Sequence, residues 1–391
     1  MPAMTHAPLP TVRNLVAALA NPALPDSKLS APWRRSGDVA FWFSRSAWSL
    51  LAIAQWRQLL THQTEITVWL PDFFCNVSLT PLRRMEALLR FYPITDQMVP
   101  DLNACKGMVH ERCPDLFVLV HFFGQPILAD SATAFCRETG AWLVEDAAHV
   151  LRPMTGIGEY GDCVLYSPHK LLPIPDGAVM VVRENGPAHL IDQTSAMEAF
   201  QNVYCSLLNT PGFSHRPAGL WLVKRVLQIF GVRSWWHTST PFLLDVIPDG
   251  HRLIHPKMNP LSKRLLSGLL GSLDTVANLR WQNRLMWENL LSKSNSIQAA
   301  IWSTSDDFPP YLAGFTFHDE TLAEKIFLHW QRAGLPITTW PDIPPEVLDQ
   351  PQRHRRALQI RKTRIYLAVH QTLDARQISA CGQRLFERET D

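Results

Sequence analysis

The chain of 391 residues is long enough for two domains or for one large two-lobed unit, and its 46% hydrophobic and 18% charged residues predict a sizeable core. A net charge of +2 gives no electrostatic reason to expect nucleic-acid binding. The seven cysteines form no CxxC or histidine-rich pattern. We therefore expect no metal site and no disulfide framework, and a cytoplasmic location, where thiols stay reduced.

The first 31 residues carry scattered prolines and no long apolar run. Nowhere in the sequence do about 18 apolar residues follow one another, which is the length that a membrane-spanning helix needs. We therefore expect neither a signal peptide nor a transmembrane segment.

Between residues 41 and 182, short apolar runs alternate with stretches of helical character. The predicted strands are 66–70, 116–121, 141–145, 163–166 and 178–182. The predicted helices between them are 47–60, 78–89 and 127–139. This alternation is typical of an α/β fold with a largely parallel sheet covered on both faces. Ligands of such sheets bind at the carboxyl ends of the strands.

The stretch 219–230 is apolar and amphipathic, and Arg233, Trp235 and Trp236 follow it. One interpretation is a helix that binds a membrane surface or a lipid substrate. The other is a helix that packs on its own domain or at a dimer interface. We favour the second interpretation, because one basic patch on an apolar helix is weak evidence for membrane binding.

The C-terminal part mixes helices and strands. After Pro260 a long helical pattern runs to about residue 291 and places Arg280 and Asn283 on one helix face. The elements predicted next are a strand at 311–317, a helix at 320–333, a strand at 364–369 and a helix at 375–387, capped by Asp374.

The stretch 241–260 is rich in proline and glycine and is the most plausible boundary between two lobes. We accordingly predict a large domain over residues 1–245, which includes the N-terminal segment. Residues 246–391 would form a smaller α+β domain.

Asp146 and Lys170 are the most informative residues of the sequence. Each follows an apolar run that reads as a buried strand, so both are expected at one edge of the sheet. Pyridoxal phosphate (PLP) needs a lysine for its Schiff base and a carboxylate beside its pyridinium nitrogen. Taken singly, Asp146 could equally be a helix cap and Lys170 a surface lysine. Together they predict a PLP site.

Three further positions could contribute to this site. His149 follows Asp146 by about one helical turn and could cover the cofactor ring or contact its phenolate, although single histidines are more often structural. Ser167 could donate to a phosphate or could simply begin a turn. Residues 44–47 open a predicted helix, where hydroxyl and free N–H groups form either an anion site or an ordinary serine cap. Motifs for P-loops, dinucleotide folds, zinc proteases and nucleophile elbows are absent from the sequence.

Several short motifs follow one another in a fixed order. They are His121-Phe122-Phe123-Gly124-Gln125-Pro126, Val144-Glu145-Asp146-Ala147-Ala148-His149, Gly161-Asp162, Tyr166-Ser167-Pro168-His169-Lys170 and Asp176-Gly177. In this order and spacing the sequence resembles the DegT/DnrJ/StrS family, the sugar-aminotransferase branch of the fold-type-I PLP enzymes. The resemblance runs over 41–182, is weaker over 255–265 and around 280–283, and includes 335–373.

This resemblance implies an aspartate-aminotransferase-like fold, with a large, mostly parallel sheet domain and a smaller C-terminal α+β domain. Lys170 would be the Schiff-base lysine and the catalytic proton carrier, Asp146 the partner of the ring nitrogen, and His149 the neighbour of the ring. The other residues expected at the cofactor are Ser44, Arg45, Ser46, Cys75, Ser167, His255 and Lys257. The segment that contains His255 normally reaches into the partner subunit's site, which implies a homodimer with shared active sites.

The sequence departs from the family pattern at several of these positions. Arg45 stands where a glycine is usual, and Cys75 stands where the family usually has a ring-stacking aromatic residue. His255 and Lys257 replace an asparagine and an arginine. Lys170 is retained, which argues against the dehydratase branch of the family, where a histidine replaces this lysine.

The resemblance implies a PLP-dependent aminotransferase. Its amino donor would be glutamate or glutamine, and its acceptor a keto sugar of polysaccharide or secondary-metabolite biosynthesis. The departures leave two alternatives open. One is another PLP reaction on the same scaffold, such as that of a dehydratase, a cyclase or a lyase. The other is a catalytically silent binding or regulatory protein that has kept the fold.

Overall fold

The predicted strands belong to one seven-stranded sheet. The computed structural model describes residues 4–127, 129–187, 193–232, 241–243, 254–292, 299–301 and 308–386. The strands of the large sheet are β1 (Val39–Phe43), β2 (Thr67–Pro71), β3 (Leu88–Tyr92), β4 (Leu116–Val120), β5 (Trp142–Ala147), β6 (Cys163–Tyr166) and β7 (Ala178–Val182). Their order across the sheet is β1-β7-β6-β5-β4-β2-β3. β7 is antiparallel to β1 and β6, whereas every other neighbouring pair is parallel.

The strand directions bring the predicted site residues to one edge of this sheet. β5 and β6 are parallel, and β1 points the same way because both β1 and β6 are antiparallel to β7. The carboxyl ends of β1, β5 and β6 therefore share an edge with the beginning of β7. Asp146 is the second-last residue of β5, and Lys170 follows β6. The largely parallel α/β sheet predicted from the sequence is confirmed.

Helices cover both faces of the large sheet. They are α1 (Val12–Ala20), α2 (Asp26–Leu29), α3 (Ser46–Thr61), α4 (Thr80–Arg84), α5 (Leu102–Val109), α6 (Asp130–Thr139), α7 (Pro168–Leu171), α8 (Gln193–Leu208), α9 (Arg216–Ile229), α10 (Pro260–Leu269) and α11 (Leu273–Leu291). One hydrophobic core joins the sheet to α3, α5, α6 and α8, and a second joins its other face to α10 and the beginning of α11. Every residue of β4 is buried, as expected for a strand covered on both faces.

The C-terminal part contains a second, antiparallel sheet. Its strands are β8 (Ala299–Ile301), β9 (Leu312–Phe317), β10 (Ile337–Thr338) and β11 (Arg364–Ala368), in the order β10-β11-β9-β8. The helices of this part are α12 (Glu320–Arg332), α13 (Pro345–Leu348), α14 (Arg355–Thr363) and α15 (Ala375–Phe386). Trp287, Phe315 and Trp330 fill the core between sheet and helices. Asp374 caps α15 as predicted, because its Oδ1 accepts the backbone N–H of Arg376 at 2.9 Å.

The predicted helix 78–89 is wrong in its second half. α4 ends at Arg84, Glu86 takes a left-handed φ of 60°, and Leu88 begins β3, which pairs with β2 in parallel. The sequence analysis also missed β1. Both missed strands are edge strands of the large sheet, where one side lacks a strand partner and the apolar run is less regular.

The long helical pattern after Pro260 consists of two helices, α10 and α11, separated by a single 3₁₀ turn at Leu270–Ser272. Helix α10 packs on the large sheet through Leu265, Leu266 and Leu269. The predicted division at residues 245 and 246 assigns α10 to the small domain, and that division stays a prediction.

The amphipathic stretch 219–230 lies in helix α9, as predicted. Leu220 and Val223 are 60% and 59% exposed, so packing on its own domain leaves one apolar side of this helix uncovered. Trp221 is partly buried against the large domain, with the Arg225 guanidinium 5.6 Å from its ring centroid. Arg233, Trp235 and Trp236 lie outside the described residues. Within the described ranges, none of the helices is long and apolar enough to cross a bilayer.

Candidate active site

Lys170 and Asp146 lie beside one cavity at the carboxyl edge of the large sheet. The cavity has a volume of about 510 Å³, and Lys170 lies in its wall. Asp146 lies in the wall of a smaller adjoining space of about 30 Å³, which Lys170 also lines. Lys170 reaches this position because Pro168 starts the one-turn helix α7 directly after β6. The two residues that the sequence singled out are therefore brought together.

The Lys170 amine contacts the His149 imidazole. Nζ of Lys170 lies 3.2 Å from Nε2 of His149, while Nδ1 of His149 accepts the backbone N–H of Phe123 at 3.2 Å. The Tyr311 ring stacks on the imidazole, with ring centroids 4.3 Å apart and an interplanar angle of 5°. The sequence analysis did not identify Tyr311, because it comes from the chain just before β9 and no local motif marks it.

Burial changes the acidity of all three titratable groups here. Burial lowers the pKa of Lys170, and the negative charge of Asp146 opposes this effect. Burial raises the pKa of Asp146, against the charge of Lys170 and the backbone N–H of Ala148, which Asp146 accepts at 2.9 Å. Burial and the charge of Lys170 both hold the pKa of His149 well below its ordinary value. Perturbed groups that share a cleft are typical of active sites.

The beginning of α3 forms a second feature of the cavity wall. Ser46 is the first residue of this 16-residue helix, and the helix start has no side-chain cap. Ser46 and Ala47 line the cavity, so free backbone N–H groups face this region. The Arg45 guanidinium lines it as well and donates to the carbonyl oxygens of Ser44 and Pro175 at 3.0 and 3.2 Å.

Arg45 has no ion-pair partner among the described residues, although Asp176 is close enough to oppose the lowering of its pKa by burial. Ser167 is fully buried, and its hydroxyl has no hydrogen-bond partner in the described structure. Buried cations and buried hydroxyls normally have partners. The cation and the open helix start in the cavity wall suit an anion, whereas Ser167 is not among the residues that line the cavity, and its contact with a phosphate stays a prediction.

Aromatic side chains form much of the remaining wall. Trp340 packs against Phe73 with ring centroids 4.5 Å apart, and Tyr366 stacks on Phe123 at 4.4 Å. Trp340 and Tyr366 come from the C-terminal part and line the cavity together with Thr338 and Thr339. Trp340 falls in the range 335–373 of the family resemblance, and no motif of the sequence singled out Tyr366 as a site residue.

The sequence profile of the DegT/DnrJ/EryC1/StrS aminotransferase family matches residues 83–201, which include Asp146, His149 and Lys170. Over these residues, less than a third of the chain, the sequence is similar to this family of aminotransferases, whose cofactor is PLP. No curated protein sequence matches the chain.

Solved structures with this fold are similar over nearly the whole chain. An aminotransferase of Helicobacter pylori, PseC, involved in the biosynthesis of pseudoaminic acid, has a TM-score of 0.67 at 13% identity, with 98% of both chains covered. The putative sugar aminotransferase Spr1654 of Streptococcus pneumoniae, in its PMP form, gives 0.70 at 13% identity over 98% of both chains. DesI, determined with its TDP-sugar product, gives 0.67 at 15% identity over 98% of this chain and 92% of that chain. At these identities the likeness establishes the fold, which is that of the fold-type-I PLP enzymes.

The residues present fit PLP. The cavity-lining residues Arg45, Ser46 and Ala47 suit a phosphate, and the Asp146 carboxylate suits a protonated ring nitrogen. Lys170 lines both the cavity and the smaller adjoining space. Among the described residues no cluster of three potential ligands could hold a metal ion.

Four of the predicted cofactor residues, Ser44, Ser167, His255 and Lys257, line neither this cavity nor the smaller adjoining space. The hydroxyl of Ser44 donates to the carbonyl oxygen of His255 at 2.6 Å, and the expected contact of Ser44 with a phosphate stays a prediction. His255 places Nε2 2.6 Å from the carbonyl oxygen of Thr210, and Lys257 is exposed, 5.5 Å from the centroid of Phe213. Neither lines the cavity of its own chain, and a role at the partner subunit's site stays a prediction.

Cys75 does line the cavity, where the family usually has an aromatic residue. Burial and the neighbouring Asp342 carboxylate raise the pKa of Cys75 to about 11. Asp342 accepts the backbone N–H groups of Asn76 and Val77 at 3.0 and 3.1 Å, which ties the C-terminal part to the segment after β2. Trp340, two residues before Asp342, supplies an aromatic wall on this side.

Arg280 and Asn283 do not line the cavity but bind the backbone of segments beside it. The buried Arg280 guanidinium donates to the carbonyl oxygens of Pro310 and Tyr311 at 2.9 and 2.7 Å. Asn283 donates to the carbonyl oxygen of His370 at 2.9 Å. The face of α11 predicted from the sequence thus holds the segment that carries Tyr311.

Proposed function

We propose that this protein transfers an amino group from glutamate or glutamine to a keto acceptor, with PLP bound at the cavity of Lys170. The observation that carries the proposal is the position of the Lys170 amine. It lies 3.2 Å from His149, in the wall that it shares with Asp146 and the anion site. The retained lysine favours transamination over the alternatives of a dehydratase and a silent scaffold.

Each residue has a defined task in this proposal. PLP, when bound, supplies the electron sink that makes the substrate's α-proton labile. Lys170 supplies the amine that binds the cofactor and then carries a proton to and from the substrate. Asp146 keeps the ring nitrogen protonated by its charge. Arg45, Ser167 and the start of α3 hold the phosphate.

The proposed acceptor is a keto sugar of polysaccharide or secondary-metabolite biosynthesis. Aromatic faces and hydroxyl groups are suited to the two faces and the edges of a sugar ring, and the cavity offers Tyr311, Trp340, Thr338 and Thr339. A second support comes from the relatives, because PseC serves pseudoaminic acid biosynthesis and DesI was determined with a TDP-sugar product.

The proposal includes a cytoplasmic homodimer with shared active sites. His255 and Lys257 lie outside the cavity of their own chain, as expected if they serve the site of the partner. The uncovered apolar side of α9 gives the single chain a surface of the kind that dimers bury.

Reconstitution of the purified protein with PLP tests the proposal. A visible absorbance band should form, and borohydride reduction should bleach it and leave the cofactor attached to the peptide that contains Lys170. Addition of glutamate or glutamine to the unreduced protein should then convert the cofactor to its amine form. A protein that binds PLP but reacts with no amino donor supports other PLP chemistry. A protein that does not bind PLP contradicts the proposal.

A further inference from the structure

The segment after β4 makes a strained turn directly beside His149. Phe123 takes the left-handed conformation, with φ 57° and ψ 19°, which is costly for a residue with a bulky side chain. The turn is held from several sides: the carbonyl oxygen of Phe123 accepts the N–H of Tyr311 at 3.2 Å, and the Phe123 ring stacks on Tyr366. A side chain on Gly124 would come within 3.2 Å of the carbonyl oxygens of His149 and Pro309.

The strained turn aims a backbone N–H at His149. Nδ1 of the imidazole accepts this N–H from Phe123 at 3.2 Å, so Nδ1 carries no proton. A neutral imidazole then has its proton on Nε2. The stacked Tyr311 ring keeps the imidazole in this orientation.

The proton on Nε2 determines whether the Lys170 amine is charged. Nζ of Lys170 lies 3.2 Å from Nε2, and a donor at Nε2 requires a lone pair on Nζ. An ammonium group has no lone pair, and it would place one donor against another. We propose that the Phe123 backbone N–H fixes the tautomer of His149 and thereby holds the Lys170 amine uncharged. Phe123 is thus a positioning residue that acts through His149.

The other charged and titratable groups around Lys170 also influence whether its amine is charged. Asp146, at the end of β5, and Cys75, after β2, favour the ammonium form. Arg45, at the start of α3, disfavours it. Among the residues that the structure describes, His149 is the one whose side chain lies within hydrogen-bond distance of the amine. An uncharged amine can attack a carbonyl group without first losing a proton, which is what the proposed function requires of Lys170.

The first test is the tautomer of His149 in the cofactor-free, full-length protein. Nitrogen-15 labelling of histidine and a long-range proton–nitrogen spectrum distinguish the protonated from the unprotonated ring nitrogen, and the signal lost in His149→Gln identifies His149. We expect a proton on Nε2 and none on Nδ1 from pH 6 to 9. A proton on Nδ1, alone or in an imidazolium, would overturn the proposal.

The second test measures the charge of Lys170 by brief reductive methylation with formaldehyde, followed by peptide mass spectrometry. A short blocked lysine peptide, added to the same solution, serves as the reference, because a lysine in a model peptide is uncharged in roughly one molecule in 2,500 at pH 7. We expect the rate at Lys170 to be nearly constant from pH 7 to 9, while the rate at the reference peptide rises about tenfold per pH unit. An equal rise at Lys170 and at the peptide would overturn the proposal.

Two variants separate the effect of His149 from that of burial. His149→Gln places an amide donor near the position of Nε2 and should keep the flat profile of Lys170. His149→Glu replaces the donor with an acceptor and should make the rate at Lys170 rise with pH. A flat profile in His149→Glu would show that burial alone keeps the amine uncharged, and would overturn the proposal.

The inference rests on the proposed function in one respect only, which is that an uncharged Lys170 amine is ready to attack a carbonyl group. None of these measurements uses PLP, so their results would stay valid if the proposed function failed.

Discussion

Asp146 lies at the end of β5 and Lys170 lies just after its parallel neighbour β6, and the charge of each favours the charged form of the other. This relationship lets one edge of the sheet present a carboxylate and an amine to the same ligand. Separate mutations can test the two roles, because Lys170 is expected to bind the cofactor covalently and Asp146 to act on it through its charge.

Lys170→Ala should abolish the visible band formed with PLP, because no other amine lies in the wall of the cavity among the described residues. The measurement is the absorbance spectrum after reconstitution, with borohydride trapping as a second readout. Lys106→Ala, on the exposed side of α5, is the matched control and should keep the band. A full band in Lys170→Ala would remove this lysine from its proposed role.

Asp146→Asn should keep PLP attached to Lys170 but slow the half-reaction with the amino donor by about 10²–10³. The amide preserves the shape of the carboxylate and removes the charge that keeps the ring nitrogen protonated. Single-turnover kinetics with glutamate or glutamine measure the effect. An unchanged rate would mean that Asp146 only caps the turn after β5, in which it accepts the N–H of Ala148.

Arg45→Met should weaken PLP binding about 10- to 100-fold, because a charge-assisted hydrogen bond to the phosphate is lost. Ser167→Ala removes a neutral donor and should weaken binding less, by roughly threefold to tenfold. Equilibrium titration of the cofactor measures both. Arg45→Lys retains the charge and should lie between Arg45→Met and the unchanged protein. Equal affinities in all of these proteins would disprove the anion site.

Glu145→Gln should lower the free energy of unfolding by about 3 kcal/mol at pH 7. The fully buried carboxylate of Glu145 lies 2.7 Å from Nε2 of His121 and accepts the N–H groups of Gly158, Tyr160 and Gly161. An amide would turn a donor toward these donors. Urea denaturation measures the loss.

The same variant has a predicted pH dependence. Burial alone would raise the pKa of Glu145, but the bonds from His121 and the backbone outweigh it, so the folded pKa lies below the ordinary value. The stability that the carboxylate contributes is therefore present above the unfolded pKa and is lost as pH falls through the folded pKa. The difference between Glu145→Gln and the unchanged protein should shrink in acid. Glu111→Gln, in the exposed pair with Arg90, should cost less than about 1 kcal/mol.

Alkylation with iodoacetamide at pH 8 should modify the exposed Cys113 and Cys205 and leave Cys75 largely unmodified. Burial and Asp342 raise the pKa of Cys75 to about 11, so only about one molecule in a thousand carries the thiolate. Peptide mass spectrometry reads out each site. Asp342→Asn should lower this pKa and increase the labelling of Cys75. Rapid labelling of Cys75 in the unchanged protein would contradict the raised pKa of its thiol.

The sequence predicted the five inner strands of the large sheet, but it did not predict the two edge strands. β2, β4, β5, β6 and β7 are apolar runs bounded by turn residues, so their local pattern suffices. The edge strand β3 was taken for the end of a helix, because its identity depends on pairing with β2 rather than on its own residues. In the same way, no local pattern marks the hydrogen bond that the Ser44 hydroxyl donates to His255, 211 positions away.

The sequence by itself determined the sheet class and the pair Asp146 and Lys170, because strand periodicity and the chemistry of a carboxylate and an amine are local properties. Only the tertiary structure decided what surrounds that pair. Tyr311 and the N–H of Phe123 fix His149 from segments far apart in the chain, and the strained turn at Phe123 is sustained by contacts that no local pattern encodes. The state of the Lys170 amine follows from that packing.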